Sequence, residues 1–98
     1  MSFLLDISDI RLKNNINFVH TLENGIKLYS FRYNKSVGAG DETFVGVMAQ
    51  DLNNMGLDNT VVKMPNGYYA VNYKKLGLRM ATLEEWEEKG LSAVLIFE

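Results

Sequence analysis

The chain is 98 residues long with a net charge of −2; it is 47% hydrophobic and 22% charged, and five Tyr, five Phe and one Trp supply bulky side chains for a core. That is one domain's worth of globular chain, too short for a catalytic domain joined to a separate regulatory one. Lys and Arg occur singly or in pairs, so no basic stripe points to nucleic acid. With no Cys and a single His, His20, neither a disulfide framework nor a thiolate or His-rich metal site is expected. The opening "MSFLLDIS" has only a three-residue apolar patch, and no stretch approaches the ~18 apolar residues of a membrane span, so a soluble chain without an export signal is expected.

In chain order, Leu12, Ile16 and Val19 fall at i, i+4, i+7, which predicts one or two turns of helix after Ser8 or Asp9 as the cap. "ENG" at 23–25 turns the chain into "IKLYSFRYN", where Tyr29, Phe31 and Tyr33 alternate with Leu28, Ser30 and Arg32 as in a strand. "SVGAGDE" at 36–42 reads as a flexible loop, "TFVGVMA" as a second strand, and "AQDLNNMG" as a short helix stopped by Gly56. "TVVKMPNGYYAVNY" predicts a hairpin, with Pro65 setting φ in the turn and Gly67 taking the left-handed position; Tyr69, Val71 and Tyr73 would share one face. Thr82 and Glu85 form a capping box ahead of "LEEWEEKG", stopped by Gly90. "LSAVLIF" at 91–97 is a final strand or a tail facing a partner. Together these elements predict a single α+β domain, a small antiparallel sheet with short helices.

The chemistry-bearing residues are few. In "SDIRLKNNI", Ser8 could act as a nucleophile with Lys13, if desolvated to a neutral amine, as its base. On a helix five residues span about 500°, leaving the side chains roughly 140° apart, and on a strand an odd separation puts them on opposite faces. A dyad therefore requires a bend between them or a lysine from another subunit. The alternative is Ser8 as an N-cap beside Asp9, with Lys13 a solvated charge. Elsewhere, Gln50 and Asp51 suit a strand-to-helix junction, Tyr68, Tyr69 and Tyr73 a core or interface, Leu83 and Trp86 a packing face, and Glu84, Glu85, Glu87 and Glu88 a solvated helix surface.

The blocks "SDIRLKNNI", "LYSFRYN", "FVGVMAQDL" and "NGYYAVNYKKLGLRM", in that order, resemble the C-terminal intramolecular chaperone domain of phage tail fibres and endosialidases, the S74 peptidase family. The likeness runs from Ser8 to about Met80. It implies a homotrimer that helps an upstream fibre or phage-type segment fold and is then released by self-cleavage. It needs no cofactor or metal and has neither nucleic acid nor membrane as partner. The resemblance also implies location in a phage virion or tail fibre, or in the host cytoplasm during assembly. Carried onto this sequence, it makes Ser8 the nucleophile, Lys13 the general base and Ile7–Ser8 the scissile bond. Asp9 and Arg11 belong to the same block and take orienting roles, or the plainer roles of cap and ion pair. Arg11 is also the expected source of the positive charge that lowers the Lys13 pKa. Residues 1–7 would then be the segment upstream of the cut and 8–98 the chaperone and peptidase domain. With seven residues ahead of Ser8, cutting this chain would free a heptapeptide, and "SVGAGDE" is a short candidate for a fibre-embracing loop. A structural association module that keeps the fold but does not cut is the alternative function.

Overall fold

The computed structural model describes residues 5–96. In chain order the strands are β1 (Asp6–Ile7), β2 (Lys13–Thr21), β3 (Lys27–Tyr33), β4 (Phe44–Gly46), β5 (Val61–Lys63), β6 (Tyr69–Val71) and β7 (Ala81–Thr82), with helices α1 (Ala49–Asn54) and α2 (Leu83–Lys89). They form two antiparallel sheets, ordered β1-β6-β5 and β2-β3-β4-β7. The α+β class expected from the sequence holds, with the strands divided between the two sheets.

The helix predicted after a cap at Ser8 or Asp9 is replaced by a single 3-10 turn, Ile10–Leu12, that opens directly into β2. β2 pairs with β3 from Lys13↔Tyr33 to Thr21↔Lys27, and its register slips between Asn14 and Asn17 and again between Phe18 and His20. A bulge inserts an unpaired residue and breaks the two-residue alternation. The apolar side chains consequently fall at spacings that imitate a helix. Asn15, at φ 51, takes the left-handed backbone that asparagine tolerates better than most residues.

The other elements form where the sequence places them, for local reasons. The Thr82 side chain accepts from Glu85 N and the Glu85 carboxylate from Thr82 N, completing the capping box of α2. α1 ends ahead of Gly56 at φ +76. The 91–97 segment, in contrast, makes a 3-10 turn over Gly90–Ala93 and a single bridge, Leu78↔Leu95, instead of a strand; Phe97 lies outside the described residues. Trp86 packs against the core and lies 6.0 Å from the His20 ring, while Glu84, Glu87 and Glu88 are exposed.

The β5–β6 hairpin turns through Gly67 at φ +88, where an added Cβ would meet nothing within 4 Å. Any penalty for a side chain there is therefore conformational, not steric crowding by neighbours. Gly67→Val should cost about 1 kcal/mol or more and lower the melting temperature by roughly 4–8 °C. An unchanged transition in a thermal melt would overturn this reading of the turn.

Two apolar clusters hold the fold. The larger contains Ile26, Leu28, Val45, Val47, Leu52, Val71, Tyr73 and Val94. The smaller is Phe31, Tyr33 and Met48, with Ile7, Ile16 and Phe44 packed against it. Ser8, Asp9 and Lys13 are buried polar residues beside these clusters.

Candidate active site

The backbone of Ser8 is pinned on two sides. Its N–H donates to Tyr69 O of β6 at 3.1 Å, and its C=O accepts from Ala49 N at the start of α1 at 2.8 Å. Asp6 and Ile7, immediately upstream, pair with Val71 and Ala70. Asp6 and Ile7 are thus sheet-paired up to the expected scissile bond.

Asp9 follows as a fully buried carboxylate whose oxygens accept five hydrogen bonds. Arg11 supplies three, from its backbone N, Nε and Nη2, the last as an ion pair at 2.7 Å. Gln50 Nε2 and Tyr69 N supply the other two. Burial pushes this carboxyl upward, but the bonds from Arg11, Gln50 and Tyr69 outweigh it and hold the pKa well below the usual carboxylate range. Asp9 also caps the Ile10–Leu12 turn through Arg11 N. The cap expected at Ser8 or Asp9 is therefore Asp9, which leaves the Ser8 hydroxyl for other contacts. Arg11 extends outward over the Tyr68 ring, 4.9 Å from its centroid, and donates to Gly67 O.

The Ile10–Leu12 turn supplies the bend that a Ser8–Lys13 pairing requires, because it brings Lys13 inward as the first residue of β2. Lys13 is 6% exposed. Its Nζ donates to Val47 O at 2.9 Å, lies 3.6 Å from Met48 Sδ, and stands 3.9 Å from the Phe31 ring centroid. The reading of Lys13 as a solvated surface charge is overturned by this burial. Desolvation lowers the amine's pKa to about 7, against the opposing pull of Asp9 and Asp6. Burial, rather than the charge of Arg11, is the cause of the shift.

The Ser8 hydroxyl, fully buried, donates to Tyr73 Oη at 3.4 Å, and the same oxygen accepts from Val47 N at 3.0 Å. Ser8 and Lys13 therefore converge on opposite ends of one residue, Val47, through Tyr73 on one side and the carbonyl on the other. Among the described residues no hydrogen bond joins them directly. Burial pushes the Tyr73 phenol up to about 12. Gly46 makes this arrangement possible, since a Cβ there would collide with the Tyr73 hydroxyl.

A second tyrosine reaches the same place from β3: Tyr33 Oη donates to the carbonyl of Ile7 at 2.5 Å and lies 3.4 Å from Met80 Sδ. Sequence reasoning placed Tyr33 in a strand and Tyr73 in a hairpin face, and neither beside Ser8. Gln50, read as a junction residue, also enters the site, holding Asp9 through its amide and Ile10 N through its oxygen. Asp51 stays structural and accepts from Tyr29 Oη at 2.8 Å. Among the described residues no three His, Cys, Asp or Glu side chains converge as a metal site.

No curated protein and no solved structure matches the chain. The profile of the Peptidase S74 family, described as chaperone of endosialidase, matches residues 8–62, from the buried serine through the lysine, β2, β3, β4 and α1 and into β5. That match covers more than half of the sequence and begins at Ser8 itself. A buried Ser–Lys pair set around one bend, on an α+β frame, accompanies it, and the chain belongs to the S74 family of endosialidase-type chaperone domains.

Proposed function

We propose that this domain is a self-cleaving intramolecular chaperone: it trimerises, assists the folding of an upstream fibre-like segment, and cuts the Ile7–Ser8 bond with Ser8 as nucleophile and Lys13 as base. The observation that carries this reading is the buried Lys13 amine, lowered to about 7 by desolvation, across Val47 from the buried Ser8 hydroxyl. An amine with that pKa is substantially neutral at neutral pH and can accept a proton.

The chemistry balances as an acyl shift followed by hydrolysis. Ser8 Oγ attacks the Ile7 carbonyl carbon while its proton passes to Lys13 Nζ. The C–N bond to Ser8 N breaks, and that nitrogen takes the proton back from Lys13. The resulting ester between the Ile7 acyl group and Ser8 Oγ is hydrolysed by one water, leaving the Ile7 carboxylate and a new N-terminus at Ser8. Because bond and nucleophile are covalently tethered, proximity supplies much of the rate. A short pairing between Ser8 and Lys13 forms only during the reaction, as catalytic hydrogen bonds often tighten late.

Exposed apolar side chains support the trimer, with Phe18 61% exposed on β2 and Ile10, Met55, Val62 and Leu91 also open to solvent. The Ser8 hydroxyl bonding to Tyr73 rather than Lys13 favours a second reading, an association module that does not cut. A fusion carrying a β-rich fibre segment upstream of Leu5 separates the two. The proposal expects the fusion to be cut next to Ser8, and the Ser8→Ala fusion to stay whole yet still assemble. Light scattering at about 30 μM, where micromolar complexes persist, should return a trimer. Cutting in the Ser8→Ala fusion would sink the proposal; a folded trimeric fusion that never cuts would establish the association module instead.

A further inference from the structure

We infer that Tyr33 is a catalytic residue of the self-cleavage step, its hydroxyl serving as the oxyanion donor to the Ile7 carbonyl; this rests on the proposed cleavage at Ile7–Ser8 and names the group that makes that carbonyl electrophilic.

The attack on Ile7 requires a donor for the oxygen that becomes charged. As Ser8 Oγ bonds to the carbonyl carbon, negative charge collects on Ile7 O, and a donor already aimed at that oxygen stabilises the transition state more than the ground state. Tyr33 Oη–H donates to Ile7 O at 2.5 Å, and Ile7 O stays bonded to the same carbon throughout, so the donor needs no large movement to follow the developing charge. The hydroxyl has one hydrogen and two acceptors in reach, Ile7 O and, at 3.4 Å, Met80 Sδ. A thioether is the weaker acceptor, so the hydrogen goes to the carbonyl.

The surroundings fix the donor in place. Tyr33 is 8% exposed and packs with Phe31 in an edge-to-face contact at 5.2 Å between ring centroids, with Phe44 at 5.6 Å on another side. Its backbone pairs with Lys13, so one strand contact holds the oxyanion donor and the base in fixed register. Burial, with Tyr73 and Asp6 nearby, pushes the phenol far above its ordinary range, so the hydroxyl keeps its hydrogen at the near-neutral pH at which Lys13 loses its proton. The surrounding apolar side chains also make a hydrogen bond to a developing anion worth more than it would be in water.

The test uses the fibre fusion and follows the rate of cutting. Tyr33→Phe removes the hydroxyl and leaves the ring; removing one such donor slows acyl transfer on the order of 100-fold or more. Hydroxylamine added to the mixture cleaves any accumulated Ile7–Ser8 ester, so unchanged slowness in its presence places the loss at the attack on the amide. Tyr33→Phe in the Ser8→Ala background reports by thermal melting whether folding is kept. Replacement of Tyr33 by 3,5-difluorotyrosine covers the case in which it is not. That side chain keeps the hydroxyl but is a stronger donor, and cutting should accelerate severalfold, an effect that packing alone does not produce. Tyr33→Phe cutting at the parent rate, or a difluorotyrosine fusion with an unaltered rate, overturns the inference while Ser8-dependent cutting leaves the proposed function standing. Cutting that survives Ser8→Ala removes the proposed function itself.

Discussion

A fusion carrying Lys13→Arg should stay uncut under conditions in which the parent fusion is processed, a loss of 1000-fold or more in rate, on the order of the neutral-amine population that is removed. At its ordinary pKa of about 10.4, a lysine is neutral in roughly one molecule in a few thousand at pH 7, whereas the buried Lys13, at about 7, is neutral in a large fraction. A guanidinium cannot give up its proton in this range, and its fork would also crowd the Val47 carbonyl and the Phe31 ring. The parent rate should rise about tenfold per pH unit below 7 and level off above it, and a rate independent of pH between 5 and 8 contradicts Lys13 as base.

The same desolvation has a signature in stability that needs no cutting and can be read on the Ser8→Ala protein. In the folded chain the amine loses its proton through about pH 7, whereas the unfolded chain keeps it until about 10.5. Between those values the unfolded state binds more protons, so stability rises with pH, by an amount on the order of 5 kcal/mol across the window; below it both states are protonated and this contribution is flat. Above about pH 10 the trend reverses, because Tyr33 and Tyr73 hold their protons in the folded chain beyond the point at which unfolded tyrosines ionise. Lys13→Met should abolish the rise between pH 7 and 10 in chemical unfolding, and a rise that persists in that variant assigns it to some other group.

Asp9→Ala should be the most damaging single substitution for stability around the site, at about 3 kcal/mol, through the loss of a hub that satisfies several buried donors at once. It strips the acceptor from Tyr69 N, Gln50 Nε2 and Arg11 N together. The guanidinium left behind is 55% exposed and is solvated in place, so the cost comes from the orphaned amides and not from a stranded buried cation. In a domain of this size the loss corresponds to a fall in melting temperature of roughly 15 °C. The parent's contribution from Asp9 is present above the ordinary carboxylate range and disappears as pH falls through the depressed folded pKa. The Asp9→Ala protein should accordingly lose less of its stability on acidification than the parent. A melting temperature within 2–3 °C of the parent, about the effect of half a kcal/mol, would mean that the five bonds are dispensable.

What the sequence made legible was local. The capping box of Thr82 and Glu85, the Gly67 turn and the period-2 run at 27–33 depend on residues a few positions apart, and each formed as read. β2 was misread because its two register slips disturb the alternation that identifies a strand. In the candidate site, one short block carries Ser8 and Lys13, and the bend that a pairing of the two requires is present at Ile10–Leu12. Tyr33 and Tyr73 could not be found that way. They reach Ile7 and Ser8 across 26 and 65 residues of chain, and alternating tyrosines in strands carry no mark that separates a site phenol from a core one. The burial of Lys13 was equally hidden, since it depends on Phe31 and Val47 arriving from two other strands and strand ends.

The most direct test of the central claim is the intact mass of both products of the fibre fusion after folding. One fragment ending at Ile7 and a second beginning at Ser8 are expected, their masses summing to that of the fusion plus one water, and neither appearing from the Ser8→Ala fusion. A cut at any other bond, or the same two fragments from Ser8→Ala, would contradict it.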